Sequence, residues 1–150
     1  MTVDTTARLR INRPQAEVAN FLRNPDNDPT WIGGIQTARL LTPAPVGVGS
    51  QVERVASFLG RKIEYVNEIV ELGSDQLVMR SVRSPFPMRV TYGFAAAGPD
   101  VTVASVRVEG DPSGLYSLAA PLLNRAVQRN IAGDLRRLKR LLEQQPASSR

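Results

Sequence analysis

The sequence contains no cysteine and no histidine. The lack of cysteine argues against a disulfide-stabilised secreted scaffold and against a thiolate metal site. Without histidine, the chain cannot supply Ser-His-Asp catalysis, an imidazole-bound zinc ion or a histidine general base. An enzyme built from this chain would have to use carboxylates, tyrosine, arginine, lysine or bound water. We expect neither a metal ion nor an organic cofactor.

Aromatic residues are scarce, and long apolar runs are absent. Phe, Trp and Tyr together make up 5% of the 150 residues. No apolar run approaches the roughly 20 residues that are needed to span a bilayer, and residues 1–10 are mostly polar. These features predict one cytoplasmic domain over residues 1–145, followed by a disordered tail over residues 146–150.

Positive charge is concentrated towards the C-terminus. The net charge is +5, and most of it comes from residues 112–145, where six Arg or Lys residues face two acidic ones. Two interpretations are open: the solvated outer face of a helix, or a stripe that makes peripheral contact with an anionic membrane. No nucleic-acid partner is expected, because neither aromatic-rich strands nor a known binding motif accompanies the charge.

Residues 112–145 have the pattern of one long amphipathic helix. Apolar residues recur at spacings of three and four, and basic residues fill the positions between them. Because Pro121 lacks an amide donor and disfavours helix at Ala120, we expect a kink or break there, with residues 112–120 forming a separate lip. The apolar stripe must be buried, and only a sheet offers a partner of similar length. A sheet that curls around one helix leaves space between them, so we expect a ligand cavity there.

Alternation of apolar and polar residues predicts seven strands before this helix. The first strand covers residues 5–11, and two short helices follow it, one near Pro14 and one around Thr30-Trp31. The other strands are predicted at residues 35–41, 50–58, 61–71, 76–82, 87–96 and 101–110. Short connections make successive strands antiparallel neighbours. The predicted fold class is therefore α+β, with a seven-stranded antiparallel sheet wrapped around the C-terminal helix.

The alternation also indicates which strand residues face the cavity. A register error of one residue would move all the inward residues of a strand to the other face, so the residues of one strand are either all assigned correctly or all assigned wrongly. Candidates for ligand binding come from the inward sets, the second short helix and the long helix. They are Trp31, Arg54, Phe58, Tyr65, Asn67, Met79, Ser81, Tyr92, Phe94, Leu123 and Val127.

The polar candidates need partners, because an unpaired buried charge or amide is costly. Arg54 either forms a salt bridge at the sheet rim or anchors a ligand, and we expect no protein carboxylate of matching parity near it. Tyr65 and Tyr92 either pack in the core or contact the ligand. Trp31 lies beside two glycines at the expected cavity mouth, where it is either a structural staple or a pocket wall.

Short motifs in a fixed order connect the chain with a known superfamily. They are Ile11-Asn12-Arg13-Pro14 with Glu17-Val18, Asn24-Pro25 leading to Pro29-Thr30-Trp31, Val48-Gly49-Ser50, Asn67-Glu68, Pro85-Phe86-Pro87 before Tyr92 and Phe94, and Asp134-Leu135, Leu138-Lys139 and Leu142-Glu143. Over about residues 5–143 the chain resembles the START-like SRPBCC superfamily, the helix-grip fold, and within it the bacterial polyketide cyclase/dehydrase-like members. This resemblance implies a hydrophobic cavity that is entered near the Trp31 loops. The oxygenase relatives need a histidine-carboxylate iron site, which this chain lacks.

Two functions are compatible with such a cavity. The first is binding of a hydrophobic small molecule, such as a lipid, an isoprenoid or a polyketide. The alternative is a polyketide cyclase or dehydratase that acts on such a ligand, in which Arg54 or a tyrosine polarises a carbonyl and a carboxylate or water moves the proton. Binding is favoured, because the strands place no carboxylate inward and Asp134 on the helix is the one acidic candidate. No catalytic residue is assigned.

Overall fold

The computed structural model describes residues 3–58, 60–111 and 120–145, apart from the side chains of Phe58 and Ala120. The strands are β1 (Val3–Ile11), β2 (Ile35–Leu40), β3 (Gln51–Phe58), β4 (Arg61–Leu72), β5 (Gln76–Arg83), β6 (Met88–Gly98) and β7 (Val101–Gly110). The helices are α1 (Gln15–Arg23), α2 (Asp28–Trp31) and α3 (Ala120–Gln144), with a 3-10 helix at Pro25–Asn27. The predicted strands agree with these bounds to within about two residues at each end, as expected for boundaries read from a sequence.

The seven strands form one antiparallel sheet in the order β1-β7-β6-β5-β4-β3-β2. Consecutive strands from β2 to β7 are neighbours, and β1 closes the order by pairing with β7. The two short helices cross from β1 at one edge to β2 at the other. The predicted α+β architecture, with its seven-stranded sheet and C-terminal helix, is confirmed.

The C-terminal helix α3 packs chiefly along β1, with further contacts to β7 and α2. Its 25 described residues correspond to roughly 37 Å. Pro121 lies in the first described turn of α3. Residues 112–119 of the predicted lip lie outside the described residues, as does the predicted tail at 146–150.

The core fills the end of the sheet nearest α1. Val18 and Leu22 of α1 lie against Phe94 of β6, and Leu135 and Leu138 of α3 belong to the same buried cluster. At the other end of the sheet, α3 and the strands stand further apart. The space between them forms the cavity described below.

Candidate functional site

The cavity consists of two adjoining chambers. The outer chamber has a volume of about 200 Å³ and is lined mostly by apolar side chains, including Ile63, Phe86, Val90, Leu123 and Val127. The inner chamber has a volume of about 120 Å³ and is richer in polar side chains. Residues that line both chambers are Ile32, Ile35, Tyr65, Val90, Val108, Ile131 and Asp134.

The outer chamber reaches the protein surface between β3, α3 and the turn before β6. Ser57, Pro85 and Asn130 lie on its wall and are exposed to solvent. Trp31, in contrast, lines the inner chamber and is only 1% exposed. The expectation that Trp31 lies at the cavity mouth is therefore wrong: its side chain is buried on the wall of the inner chamber, although Ile32 and Gly34 of the loop that follows line the outer one.

The short helix α2 brings two buried side chains to the inner end of the cavity. Asp28 and Trp31 are three residues apart, so they lie on the same side of a single helical turn. The preceding segment is held by its own side chains, because Asn24 Oδ1 accepts from the Asp26 amide and Asn27 Nδ2 donates to the Phe21 carbonyl. The Asn-Pro-rich segment therefore positions site residues.

Arg54 of β3 forms a buried ion pair with Asp28. The Arg54 Nε donates to Asp28 Oδ2 at 2.7 Å, and the two side chains are 4% and 1% exposed. Burial raises the pKa of the Asp28 carboxyl, and the adjacent Arg54 guanidinium opposes that rise. The expectation that Arg54 lacks a protein carboxylate is wrong, because the partner comes from a helix and the parity argument considered strands. The pair is buried and does not lie at the sheet rim.

Three buried polar atoms on the wall of the inner chamber have no hydrogen-bond partner within the described protein. They are Arg54 Nη1, Trp31 Nε1 and Asn67 Oδ1. The Arg54 Nη2 is 3.7 Å from the Met79 sulfur, which is a weak acceptor. Buried polar groups normally find a partner, and each exception calls for an explanation. Two N–H donors and one amide oxygen, on side chains that line this chamber, thus lack a partner within the described protein.

Two tyrosines add hydroxyl groups to the same space. Tyr65 lines both chambers, and Tyr92 lines the inner one, where its ring meets Trp31 edge-on with centroids 5.5 Å apart. Burial raises the pKa of both phenols. Both hydroxyls therefore stay protonated at neutral pH and can donate hydrogen bonds.

Asp134 of α3 is a carboxylate on the wall of both chambers. Its Oδ1 accepts from the Gly33 amide at 3.0 Å and from Arg137 Nη2 at 2.5 Å. Arg137 Nε also donates to the Trp31 carbonyl at 3.0 Å, which ties α3 to α2. Burial raises the pKa of Asp134, while the hydrogen bonds from Gly33 and Arg137 oppose that rise. We call Gly33, Trp31, Asp134 and Arg137 the α2–α3 latch.

The remaining candidates from the sequence fall into three groups. Met79 lines the inner chamber, and Leu123 and Val127 line the outer one. Ser81 lines neither chamber, and its hydroxyl accepts from the Met88 amide at 2.8 Å. Phe94 is fully buried in the core, with the Arg23 guanidinium 5.7 Å from its ring centroid. We leave Ser81 and Phe94 out of the site, and the side chain of Phe58 lies outside the described residues.

Sequence reasoning missed several residues that build the site. Asp28 was missed because the parity argument applies to strands, and Asp28 lies in a short helix. Its spacing of three from Trp31 was the signal that both could face inward. In the outer chamber, Ile32 and Phe86 come from connecting segments, to which strand parity does not apply.

The fold and the cavity define a class of protein: a curved antiparallel sheet closed by a C-terminal helix over an internal space, which is the helix-grip arrangement. The sequence profile of the family described as polyketide cyclase/dehydrase and lipid transport matches residues 2–143. The chain belongs to this family, and the predicted relationship to the START-like superfamily is confirmed. No curated protein sequence matches the chain significantly.

Solved structures share this fold at low sequence identity. A protein from Thermus thermophilus has a TM-score of 0.81 and 16% identity, covering 95% of this chain and 99% of its own. A START superfamily protein from Mycobacterium smegmatis has a TM-score of 0.79 and 14% identity, covering 94% and 97%. The Zhui aromatase/cyclase from Streptomyces sp. R1128 has a TM-score of 0.81 and 13% identity, covering 95% and 94%. These likenesses establish the fold and not an activity.

Within residues 3–58, 60–111 and 120–145, no helix combines the length and the apolarity that crossing a bilayer requires.

Proposed function

We propose that this protein binds a hydrophobic small molecule, lipid-like or polyketide-like, with its apolar part in the outer chamber and an oxygen-bearing end in the inner one. The observation that carries this proposal is the set of three unpartnered buried polar atoms, Arg54 Nη1, Trp31 Nε1 and Asn67 Oδ1, behind an apolar chamber. Small-molecule sites commonly combine an apolar lining with a few such polar groups. The family's description includes both chemistry on polyketides and lipid transport.

The proposed roles follow from the positions of the side chains. Ile63, Leu123 and Val127 contact the apolar part of the ligand, and burial of that part supplies most of the affinity. Arg54 and Trp31 donate hydrogen bonds to its oxygen, which orients it. Tyr65, on the wall of both chambers, contacts the ligand where the two parts meet.

Extraction of the natively purified protein and mass spectrometry of the extract would identify a bound molecule. Binding itself is tested with Val127→Phe, which places extra volume in the outer chamber, against Leu122→Phe, whose parent side chain is 66% exposed. We expect the Val127 variant to lose affinity for an apolar dye by tenfold or more and the Leu122 variant to keep it. Equal affinity of both variants would mean that the ligand does not occupy this chamber.

Cyclisation and dehydration of such a ligand is the second candidate, and the position of Asp134 favours it. Asp134 is a carboxylate with a raised pKa on a wall that Arg54 and Tyr65 also line, which is the combination that proton transfer next to a carbonyl requires. In this mechanism Asp134 takes the proton from the carbon beside a carbonyl, and the Arg54 N–H stabilises the enolate oxygen.

A β-polyketone thioester mimic tests this second candidate. Turnover that Asp134→Asn abolishes, with binding of the mimic retained, would support catalysis. Absence of turnover in the unaltered protein, despite binding, would restrict the function to binding.

We also propose peripheral contact with an anionic membrane through an arginine stripe made of Arg125, Arg129, Arg136 and Arg140. These residues are exposed and fall within about 60° of one another around α3. Their neighbours Arg137 and Lys139, by contrast, pair with Asp134 and Glu143. Such contact would fit a cytoplasmic location, which stays a prediction.

Co-sedimentation with vesicles tests this contact. Phosphatidylserine vesicles should bind the protein at low salt better than phosphatidylcholine vesicles do, at about 1 kcal/mol per cation near the surface. The double variant Arg129→Glu/Arg136→Glu should lose this preference. The control Arg61→Glu/Arg89→Glu, with two exposed arginines of the sheet, should keep it. Equal losses in both variants would indicate an effect of net charge and not of the stripe.

A further inference from the structure

The charges at the inner chamber already have counter-charges within the protein. Arg54 lines the chamber, whereas Asp28 does not. The Asp28 Oδ2 lies 2.7 Å from the Arg54 Nε. Asp134, the other charged residue on the described wall, pairs with Arg137. An arginine keeps its proton in proteins, so the positive charge of Arg54 is permanent and Asp28 is what balances it.

Balanced charge does not remove hydrogen-bonding capacity. Although Arg54 uses its Nε for Asp28, its Nη1 still lacks a partner, and so does the indole N–H of Trp31. A neutral carbonyl oxygen has two lone pairs with which to accept hydrogen bonds, and it brings no charge with it. A carboxylate could accept the same bonds, but its negative charge would find no free counter-charge at this chamber. Burial of an unbalanced charge is strongly unfavourable.

We propose that Asp28 determines head-group specificity: by neutralising Arg54 from behind, it makes the inner chamber take a neutral carbonyl compound and reject the corresponding carboxylate. This inference rests on the proposed binding function and narrows its ligand class to ketones, aldehydes and esters, to the exclusion of free fatty or aromatic acids. A purely structural Asp28 would hold the fold together without altering the relative affinities of a ketone and an acid.

Three probes of one shape separate these possibilities. They are 2-acetylnaphthalene, 2-naphthoate and 2-isopropylnaphthalene, which place a ketone, a carboxylate and a hydrocarbon group of equal heavy-atom count on the same ring. A linear set of 2-tridecanone, dodecanoate and 2-methyltridecane repeats the comparison for a flexible chain. Affinities are measured by calorimetry at neutral pH, where the two acids are ionised because a carboxyl titrates near pH 4.

In the unaltered protein we expect the ketone to bind at least about tenfold more tightly than the carboxylate, a difference of about 1.4 kcal/mol. A carboxylate that binds as tightly as its ketone would overturn the specificity inference and leave the proposed function standing. If none of the six probes bound, the proposed function itself would fail. These comparisons need no variant, so they remain decisive even if a substitution prevents folding.

The variant Asp28→Asn tests the role of Asp28 through the ratio of carboxylate to ketone affinity. A purely structural role of Asp28 would leave this ratio unchanged. With Arg54 left unbalanced, the carboxylate should gain affinity, so that the ratio of carboxylate to ketone affinity rises by tenfold or more. The double variant Asp28→Asn/Arg54→Met has no charge to balance and should return the carboxylate to weak binding. A carboxylate-to-ketone ratio that is the same in all folded variants would overturn the role of Asp28.

Discussion

The two chambers of the cavity differ in the physics that shapes them. The outer chamber is bounded by aliphatic and aromatic side chains and opens to the surface, so it discriminates mainly by size and shape. The inner chamber contains a buried ion pair and three unpartnered polar atoms, so it discriminates by charge and hydrogen bonding. The comparison indicates that affinity comes mainly from the outer chamber and selectivity from the inner one.

The largest effect is expected from disrupting the ion pair at the inner chamber. Asp28→Asn leaves the buried guanidinium of Arg54 unpaired, and we expect a loss of about 3–5 kcal/mol in the free energy of unfolding. Arg54→Met should cost less, because the Asp28 that remains can take up a proton and the guanidinium cannot release one. Urea unfolding at neutral pH measures both losses. A larger loss for the Arg54 variant would contradict this account.

The outer chamber should respond differently to truncation. Leu123 lines it and is 2% exposed, whereas its neighbour Leu122 is 66% exposed. We expect Leu123→Ala to cost about 2–3 kcal/mol, at the low end for a buried leucine because one side of it already faces the cavity. Leu122→Ala should stay within about 0.5 kcal/mol of the parent protein in the same urea titration. Equal costs would mean that the chamber wall is not formed by Leu123.

The α2–α3 latch joins α3 to α2, and a smaller effect tests it. Arg137→Ala removes the hydrogen bonds to the Trp31 carbonyl and to Asp134. We expect a loss of about 1–2 kcal/mol, since the side chain is partly exposed and water can replace it. Arg136→Ala is the matched control, because Arg136 is exposed beside it. Faster hydrogen exchange of the Gly33 amide in the Arg137 variant alone would locate the effect at the latch.

The smallest expected effect is a pH dependence that Asp134 contributes. The pKa of Asp134 is raised in the folded protein above its ordinary value of 3.8, so folding favours its protonated form. Its contribution to stability is fully present below that ordinary value and is lost as the pH rises through the raised pKa. The stability difference between the parent protein and Asp134→Asn should therefore fall as the pH rises from acid towards neutral. A difference that increased with pH would contradict the sign of this shift.

Strand parity predicted much of the cavity, because side chains along a strand alternate strictly between the two faces. Arg54, Tyr65, Asn67 and Met79 were all assigned to the inward face, and all four line the inner chamber. The long helix was predicted equally well, since the spacing of its apolar residues identifies the face that α3 buries. Alternation along a strand and the period of a helix are local properties of the sequence, so they can be recognised without knowledge of the rest of the fold.

The errors arose where local pattern stops being informative. The parity of Ser81 is that of Met79, but its hydroxyl is taken by the Met88 amide across the turn that joins β5 and β6. The burial of Asp28 and Trp31 depends on how the single helical turn of α2 packs between α3 and the sheet. That docking is fixed by long-range contacts such as the latch, which no spacing in the sequence specifies.

The attachment of α3 along β1 has a further consequence for the protein as a whole. The helix is supported mainly at one edge of the sheet, and Ala56, Ile63 and Tyr65 of β3 and β4 line the open volume of the outer chamber. A ligand in that volume would act as a missing piece of the core. At a free concentration one hundred times its dissociation constant, it would add about 2.7 kcal/mol to the free energy of unfolding. The melting temperature in a cell extract would then report how much of the protein is occupied, before the ligand itself is known.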